Sequence, residues 1–570
     1  MKTSMLDVIG RSQRGRVCDF KRGETTVRTP YVVPVLDGPS DEPIYIQKGE
    51  TRKLFLMGTE VDLDQKLRTT LSSRTETEPV TKGGVCIVRL PFTGEEDIPE
   101  DAEAVVVSNG YELRKDPRKA VDAIIALRER IGHNRVLFVS GLAEPATMAL
   151  YSYMGVDMFD DALVRAAGIN SLKLIPEGEV AADRDVSGEN RRELAAERDK
   201  IITFTMAQRL RELVDQRSFS SPSSVALLRV FDRVGYEYQE EQCSTVGCRF
   251  SCNTTQALKR PDLVRYRTRL MENYEKPPHK RVLVLLPCSA KKPYHTSKTH
   301  KAFASAIHTA QHDTLVQEII VTSPLGIVPR ELDAMYPANS YDIPVTGEWK
   351  CEEKQMIREM LSKVIAQGYD KIICHLGEDY ELVEGLADME CTAVGDTASP
   401  ASLRDLDETL RRVTKDMEPV DYYVDRREAM RSVLRYQFGK DVADLLMDEN
   451  SYAIGKFPYW KLMREDPADR KVKTQLGMLT PERGMVSLTA EGAQILADAN
   501  RYVVEMTDFD MKGSLFAVGV IKADPAIRIG DEAVIMCNGE LRGVGVAMMS
   551  GKEMTDLKRG VAVKTRHKSK

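Results

Sequence analysis

Long hydrophobic runs are missing from this 570-residue sequence. None approaches the roughly 20 apolar residues that a membrane-spanning helix needs, so no membrane partner is expected. The opening residues, Met1-Lys2-Thr3-Ser4-Met5-Leu6-Asp7, lack the apolar core of a secretory signal. A cytoplasmic location follows as the expectation, with the ten cysteines kept as thiols. Metal-binding patterns are scarce too. Cys243, Cys248 and Cys252 are spaced more loosely than zinc pairs and have no fourth ligand close by. His308 and His312 stand four apart, but no glutamate follows the first, so the metalloprotease pattern fails. No metal and no cofactor are expected of the chain. An excess of positive charge is also lacking, the formal net charge being −6. That excludes a polycation but not a local basic surface, which is all that nucleic-acid binding requires. Residues 552–570 supply one, with seven basic residues against two acidic ones.

The length argues for several domains, and charged content of 29% is ordinary for a globular chain. Its most informative stretch begins with the apolar run 282–286, which reads as a buried strand and stops at Pro287. Cys288, Ser289, Lys291, Lys292, Tyr294, His295, Ser297 and His300 follow at once. Two more apolar runs, 318–322 and 371–374, also end in polar residues, with helical spacing over 303–316 and 352–366 between them. Alternating strands and helices predict a parallel α/β sheet, whose ligands bind beyond the carboxyl ends of the strands. The turn-rich loop 341–347 is expected to line the same crevice. Near the start, 104–107 and 136–139 read as buried strands around a helix over 117–131, a βαβ unit. The end of the chain shows short strands and turns, Asn538-Gly539 among them, as in a compact all-β module.

Several of these pieces resemble known families. Gly15-Arg16, 29–35, Asn109-Gly110-Tyr111 and 155–160 resemble tRNA-guanine transglycosylases, which implies a TIM-barrel-like domain with Asp157 at the nucleophile position. The second catalytic aspartate motif and the zinc pattern of that family are absent, so the domain is expected to be degenerate and Asp157 not to be catalytic. Residues 513–517, 527–533 and 543–545 resemble the PUA domain, an RNA-binding module. With the central Pro287-Cys288-Ser289-Ala290-Lys291-Lys292-Pro293-Tyr294 motif, the whole is similar to the archaeosine synthase family. The resulting fold class is multidomain α/β. It comprises a degenerate transglycosylase-like domain (1–260), a parallel α/β core (261–415), a small α+β connector (416–499) and a C-terminal β-barrel PUA domain (500–570).

The resemblance implies an archaeal tRNA-modifying transferase that adds an amine to the nitrile of 7-cyano-7-deazaguanine in the tRNA D-arm. Lysine is the implied amine, with glutamine or ammonium as the competing donors. A radical-SAM partner carrying its own iron–sulfur cluster would then cleave the adduct, and a homodimer is a further expectation. The residue types suit this chemistry in two ways. A Cys288 thiolate, its pKa depressed by Lys291 and Lys292, would add to the nitrile and be displaced by the amine. Alternatively the amine attacks directly, with Tyr294, His300 and a lysine moving protons and Ser297 beside them. Cys288 as a buried structural thiol, or the lysines as phosphate contacts, are the plainer alternatives. Arg330, Glu331, Asp342, Glu378 and Asp379 are candidate substrate contacts. Arg528, Lys558, Arg559, Lys564 and Arg566 are candidate tRNA contacts. Two rival functions remain: base exchange at Asp157, and a non-catalytic tRNA scaffold for the partner.

Overall fold

The computed structural model describes residues 5–64, 79–92, 97–309 and 312–568; Lys570 of the basic tail lies outside them. The chain packs as two compact units, Met1–Cys243 with Ser514–Val520 and Met549–Ala562, and Ser244–Gly513 with Ile521–Met548 and Val563–Lys570. Residues 244–260 go with the second unit, and 514–520 and 549–562 with the first.

In the first unit, β1 (Met5–Ser12), β2 (Gly15–Arg22) and β3 (Thr25–Thr29) form an antiparallel meander. A six-stranded sheet follows, made of β4 (Tyr31–Val33), β5 (Val80–Lys82), β6 (Val85–Val88), β7 (Ala104–Val107), β8 (Val136–Val139) and β9 (Met158–Asp160). Its order is β4-β9-β8-β7-β6-β5, parallel except at the β5 edge. The crossover helix α1 (Pro117–Ile131) starts where Asp116 accepts bonds from the Arg118 and Lys119 amides, with proline at the first position.

Every side chain of β7 is buried, and alternation sends them to two different cores. Val105 and Val107 join Leu137, Ile124 and Phe231 on the helical side. Ala104 and Val106 join Phe138, Phe20, Ile44 and Leu54 on the other. This second core corrects the barrel expectation. The face that a TIM barrel would turn inward is filled by side chains from the meander and from the short strands between Val35 and Asp62. Among the described residues the sheet does not close.

The second unit is built on β10 (Val282–Pro287), α2 (Lys298–His308), β11 (Val316–Thr322), β12 (Gly326–Pro329), α3 (Cys351–Ile365), β13 (Lys371–Cys374), β14 (Glu390–Cys391) and α4 (Pro400–Thr414). The sheet order is β12-β11-β10-β13-β14, with all pairs parallel except β11–β12. The antiparallel β12 follows β11 directly, where the sequence showed only polar residues ending a strand. Gly326, at φ +83°, takes a backbone conformation that a side chain would strain, and the chain doubles back there. Beyond α4 come α5 (Tyr422–Phe438), an antiparallel sheet of β15 (Ser451–Lys456), β16 (Tyr459–Glu465), β17 (Lys473–Thr480) and β18 (Met485–Leu488), and α6 (Ala490–Asp498). In the C-terminal module β19 (Val503–Met506), β20 (Glu532–Cys537), β21 (Glu540–Ala547) and β22 (Val561–Lys568) pair in sequence order. No closing pair makes this sheet a barrel among the described residues.

Candidate functional site

Strand β10 lies between β11 and β13, with Pro287 opposite Val321 and Leu285 opposite Cys374. Residues 282–286 are buried on both faces, so the chain emerges only at Pro287 and presents Cys288 at the carboxyl edge of the sheet. It then folds under itself. Tyr294 is fully buried, and its hydroxyl donates to Thr322 Oγ1 at 3.1 Å. Tyr341 bonds to both groups, to Thr322 at 2.6 Å and to the Tyr294 hydroxyl. The Lys292 ammonium sits 4.2 Å from the centre of the Tyr341 ring, a cation–π contact. A two-residue parallel pair, Phe250–Ser251 with Tyr341–Asp342, fixes Tyr341 from the outside.

These positions set the charges. Burial pushes the Cys288 thiol up, and Lys292 and the Thr322 hydroxyl pull it only part of the way back. Burial likewise lowers Lys292, against the opposing pull of Cys288 and Asp342. The expected depression of the Cys288 pKa is therefore corrected, because desolvation outweighs the neighbouring ammonium. Lys291, the second lysine, is exposed. Both shifts favour thiol and amine over thiolate and ammonium.

His300 has a different setting. Its Nδ1 accepts from Arg330 at 2.9 Å, and its ring is 5.0 Å from that of Tyr294. Burial, then the Arg330 charge, lowers its pKa to about 2, against a weaker opposing pull from the Pro287 carbonyl. The imidazole is thus neutral and a poor proton acceptor near pH 7. Arg330 is also bound to Glu318 at 2.7 Å and Asp333 at 3.3 Å. Ser297 caps α2 by accepting from the His300 amide at 3.1 Å. The unfolded chain binds a proton at the ordinary 6.5, whereas the fold resists it down to about 2. Stability from this group is therefore complete above pH 6.5 and declines as the pH falls below it, by about 1.4 kcal/mol per unit. Both tryptophans, Trp349 and Trp460, belong to the second unit. Urea unfolding followed by their fluorescence should show a His300→Phe variant losing about 1.4 kcal/mol less than the parent per pH unit below 6.5; equal slopes would contradict the assignment.

Other candidates are dispersed. Asp379 accepts from the Trp349 indole at 2.8 Å, and Asp342 pairs with Arg249 at 2.9 Å. Glu378 is exposed, and Glu331 is buried. In the first unit, Asp157 is buried between Arg16, at 2.8 and 2.9 Å, and Arg128, and it accepts from the Leu137 amide at 2.9 Å. Burial opposes its ionisation, yet the two arginines hold its carboxyl below the usual range. Among the expected RNA contacts, Lys558 and Lys564 are exposed. Arg559 pairs with Asp7 at 3.0 Å, and Arg528 bonds back to the Pro525 carbonyl at 2.7 Å. Arg566 turns inward to the buried Glu532 and to the Leu488 carbonyl. Thr322 and Asp333 are absent from the sequence candidates, His295 is named there only within the reactive stretch, and Tyr341 only as part of a loop. His295 donates to Asp333 from its backbone amide and from Nδ1, each at 2.8 Å. Only the polar ending of strand 318–322 hinted at Thr322. Among the described residues no group of three or more His, Cys, Asp or Glu side chains is arranged for a metal ion.

Residues 263–410 match the family described as "Domain of unknown function (DUF5591)", and residues 505–568 match the PUA domain. The chain is similar to an archaeosine synthase subunit alpha of Thermoplasma acidophilum, at 32% identity over 84% of this chain and 91% of that protein. It is similar to one from Methanosarcina acetivorans, at 33% identity over 82% of this chain and 80% of that protein. A tRNA-guanine(15) transglycosylase of Methanobrevibacter smithii is 23% identical over 79% of this chain and 69% of that protein. Fold and matched domains define a mixed α/β multidomain protein with a C-terminal PUA domain. The chain belongs to the archaeosine synthase family.

Proposed function

We infer that this chain modifies tRNA in the biosynthesis of archaeosine, acting as a transferase. The observation that carries the reading is the similarity to named archaeosine synthases over most of both chains. A PUA domain at the C-terminus supports tRNA as the substrate. The finer reading is that it adds an amine, lysine in first place, to the nitrile of a 7-cyano-7-deazaguanine base already in the tRNA. The placement of Cys288 at the carboxyl edge of the sheet, with Lys292 close enough to pull on its titration, supports a covalent route. Lys292 takes the thiol proton and passes it to the nitrile nitrogen as the sulfur adds to the nitrile carbon, giving a thioimidate. The incoming neutral amine then forms a C–N bond as the C–S bond breaks, leaving an amidine and a regenerated thiol. One difficult addition becomes two easier steps. Asp379 and Asp342 stand near enough to Cys288 and Lys292 respectively to influence their titration, and would face the substrate.

Relatives named as an alpha subunit favour a partner protein, for which a radical-SAM enzyme that cleaves the lysine adduct is the proposal. Self-association as a dimer is a separate proposal. Purified protein incubated with nitrile-bearing tRNA and labelled lysine should leave stable label in the tRNA. Label appearing only when the partner is added would make the chain a scaffold. No label from lysine, glutamine or ammonium, with guanine released from unmodified tRNA instead, would replace the reading with base exchange.

A further inference from the structure

A cavity of about 20 Å³ opens in the first unit at the turn between β1 and β2, and Arg11, Gln13, Arg14, Arg16, Arg128 and Glu553 are on its lining. Arg16 and Arg128 are committed, since they share the Asp157 carboxylate. The side chains of the turn are not. Arg11 donates from Nε to Glu553 at 3.0 Å, while its Nη2 is buried with no acceptor among the described residues. Arg14 lies over the Tyr238 ring at 3.6 Å, with one terminal nitrogen 3.3 Å from Glu241. Gln13 Oε1 accepts from the Tyr153 hydroxyl, and its Nε2 meets no acceptor among the described residues. Glu553, the acid of the lining, is already engaged by Arg11 Nε and by the Ser550 amide at 3.4 Å. Gln13 also holds φ +55°, which a residue with a side chain seldom adopts. Strain of that kind clusters at sites that clamp a ligand.

The turn thus presents positive charge and donors without enough acceptors. Buried charged donors are costly to leave unmet, and only an acceptor-rich group answers several of them at once. The volume admits a single small group, which excludes a nucleoside or an amino acid. Guanidinium forks match the oxygens of a tetrahedral oxyanion. We propose that the β1–β2 turn binds one phosphate-type oxyanion, held by Arg11, Gln13 and Arg14. An RNA backbone phosphodiester and free phosphate both offer that chemistry. The RNA source is preferred because residues 549–562, part of the matched PUA domain, belong to the same unit and supply Glu553 to the lining. Only that preference rests on the function proposed above.

Thermal unfolding and tRNA filter binding of the full chain, beside a Gln13→Glu variant, test the assignment. The new carboxylate would itself answer Arg11 and Arg14, so the variant should unfold no earlier than the parent. Inorganic phosphate should raise the parent's Tm saturably and leave the variant's unmoved, with acetate and chloride at equal ionic strength far less effective. Affinity for a tRNA transcript should fall about tenfold in the variant. The slope of log affinity against log salt should shrink by about 1, the share of one phosphate contact. A phosphate effect lost in the variant with tRNA affinity unchanged would assign the site to the free ion. A variant equal to the parent in both measurements, or acetate and chloride as effective as phosphate, would overturn the proposal. Failure of the parent to transfer amine would remove the proposed reaction and leave both measurements standing.

Discussion

A Cys288→Ser variant is expected to lose amine transfer to nitrile-bearing tRNA by about 10³-fold or more, and to lose any covalent tRNA–protein adduct. The substitution is small and its site only partly buried, so the fold should survive. A serine hydroxyl cannot supply the thioimidate, because its conjugate base is far harder to form beside a single half-buried amine. Lys292 offers an independent arm of the test. Its replacement by methionine removes the proton acceptor while retaining the stem over Tyr341. The thiol, already pushed up by burial, would then ionise only at higher pH, so the rate profile should move to the alkaline side. Full activity in Cys288→Ser would rule out covalent catalysis. The reaction would then be direct attack by the amine, with Lys292 deprotonating the ammonium, and a Lys292→Met defect would survive on its own. Parallel measurement of tRNA binding separates either outcome from loss of the PUA contact.

Much of this arrangement was legible because its parts are local. Ala104–Val107, Val136–Val139 and Lys371–Cys374 read directly as strands, and the spacing of Ala120, Ile124, Leu127 and Ile131 announced α1. Cys288, Lys292 and Tyr294 come from one loop, so a single stretch brought them together. What escaped notice depends on distant pairing. Tyr341 reaches Thr322 only because Tyr341–Asp342 pairs with Phe250–Ser251, an element too short to carry a periodic signal. The strand after Gly326 was hidden for a similar reason: its antiparallel return is a turn property, not a pattern of apolar residues. Ser297 shows the opposite problem. A serine three residues before His300 looks reactive beside a cysteine, yet it also fits a helix N-cap, and that is where its oxygen is engaged. The same holds for Arg566, a basic residue in a basic tail whose guanidinium is committed to buried Glu532. Sequence proximity identifies reactive types; only burial decides which of them stay free.

Asp157→Ala is expected to destabilise the first unit by about 3–5 kcal/mol, because it leaves Arg16 and Arg128 buried without their shared countercharge. Both arginine side chains are under a tenth exposed, so water cannot replace the carboxylate. Asp157→Asn should fare little better, since it keeps the shape but not the charge. Hydrogen exchange across β8 and β9 would report the loss, because the Leu137 amide bonds to this carboxylate. Pairing Asp157→Ala with Arg128→Met should recover part of the stability by removing one orphaned charge. A nucleophile would behave otherwise, with activity lost and stability kept or gained. The geometry argues against that role on another ground. Asp157 precedes β9 and so stands at the amino end of a parallel strand, whereas ligands meet such sheets at the carboxyl end. Asp160 occupies that end instead, bound to the Ser140 hydroxyl at 2.6 Å and the Gly141 amide at 3.0 Å, with its pKa raised by burial. Amine transfer should therefore persist in any Asp157 variant cooled enough to stay folded. Complete loss of transfer in such a folded variant would restore Asp157 to the chemistry and displace Cys288 as the centre of the reaction.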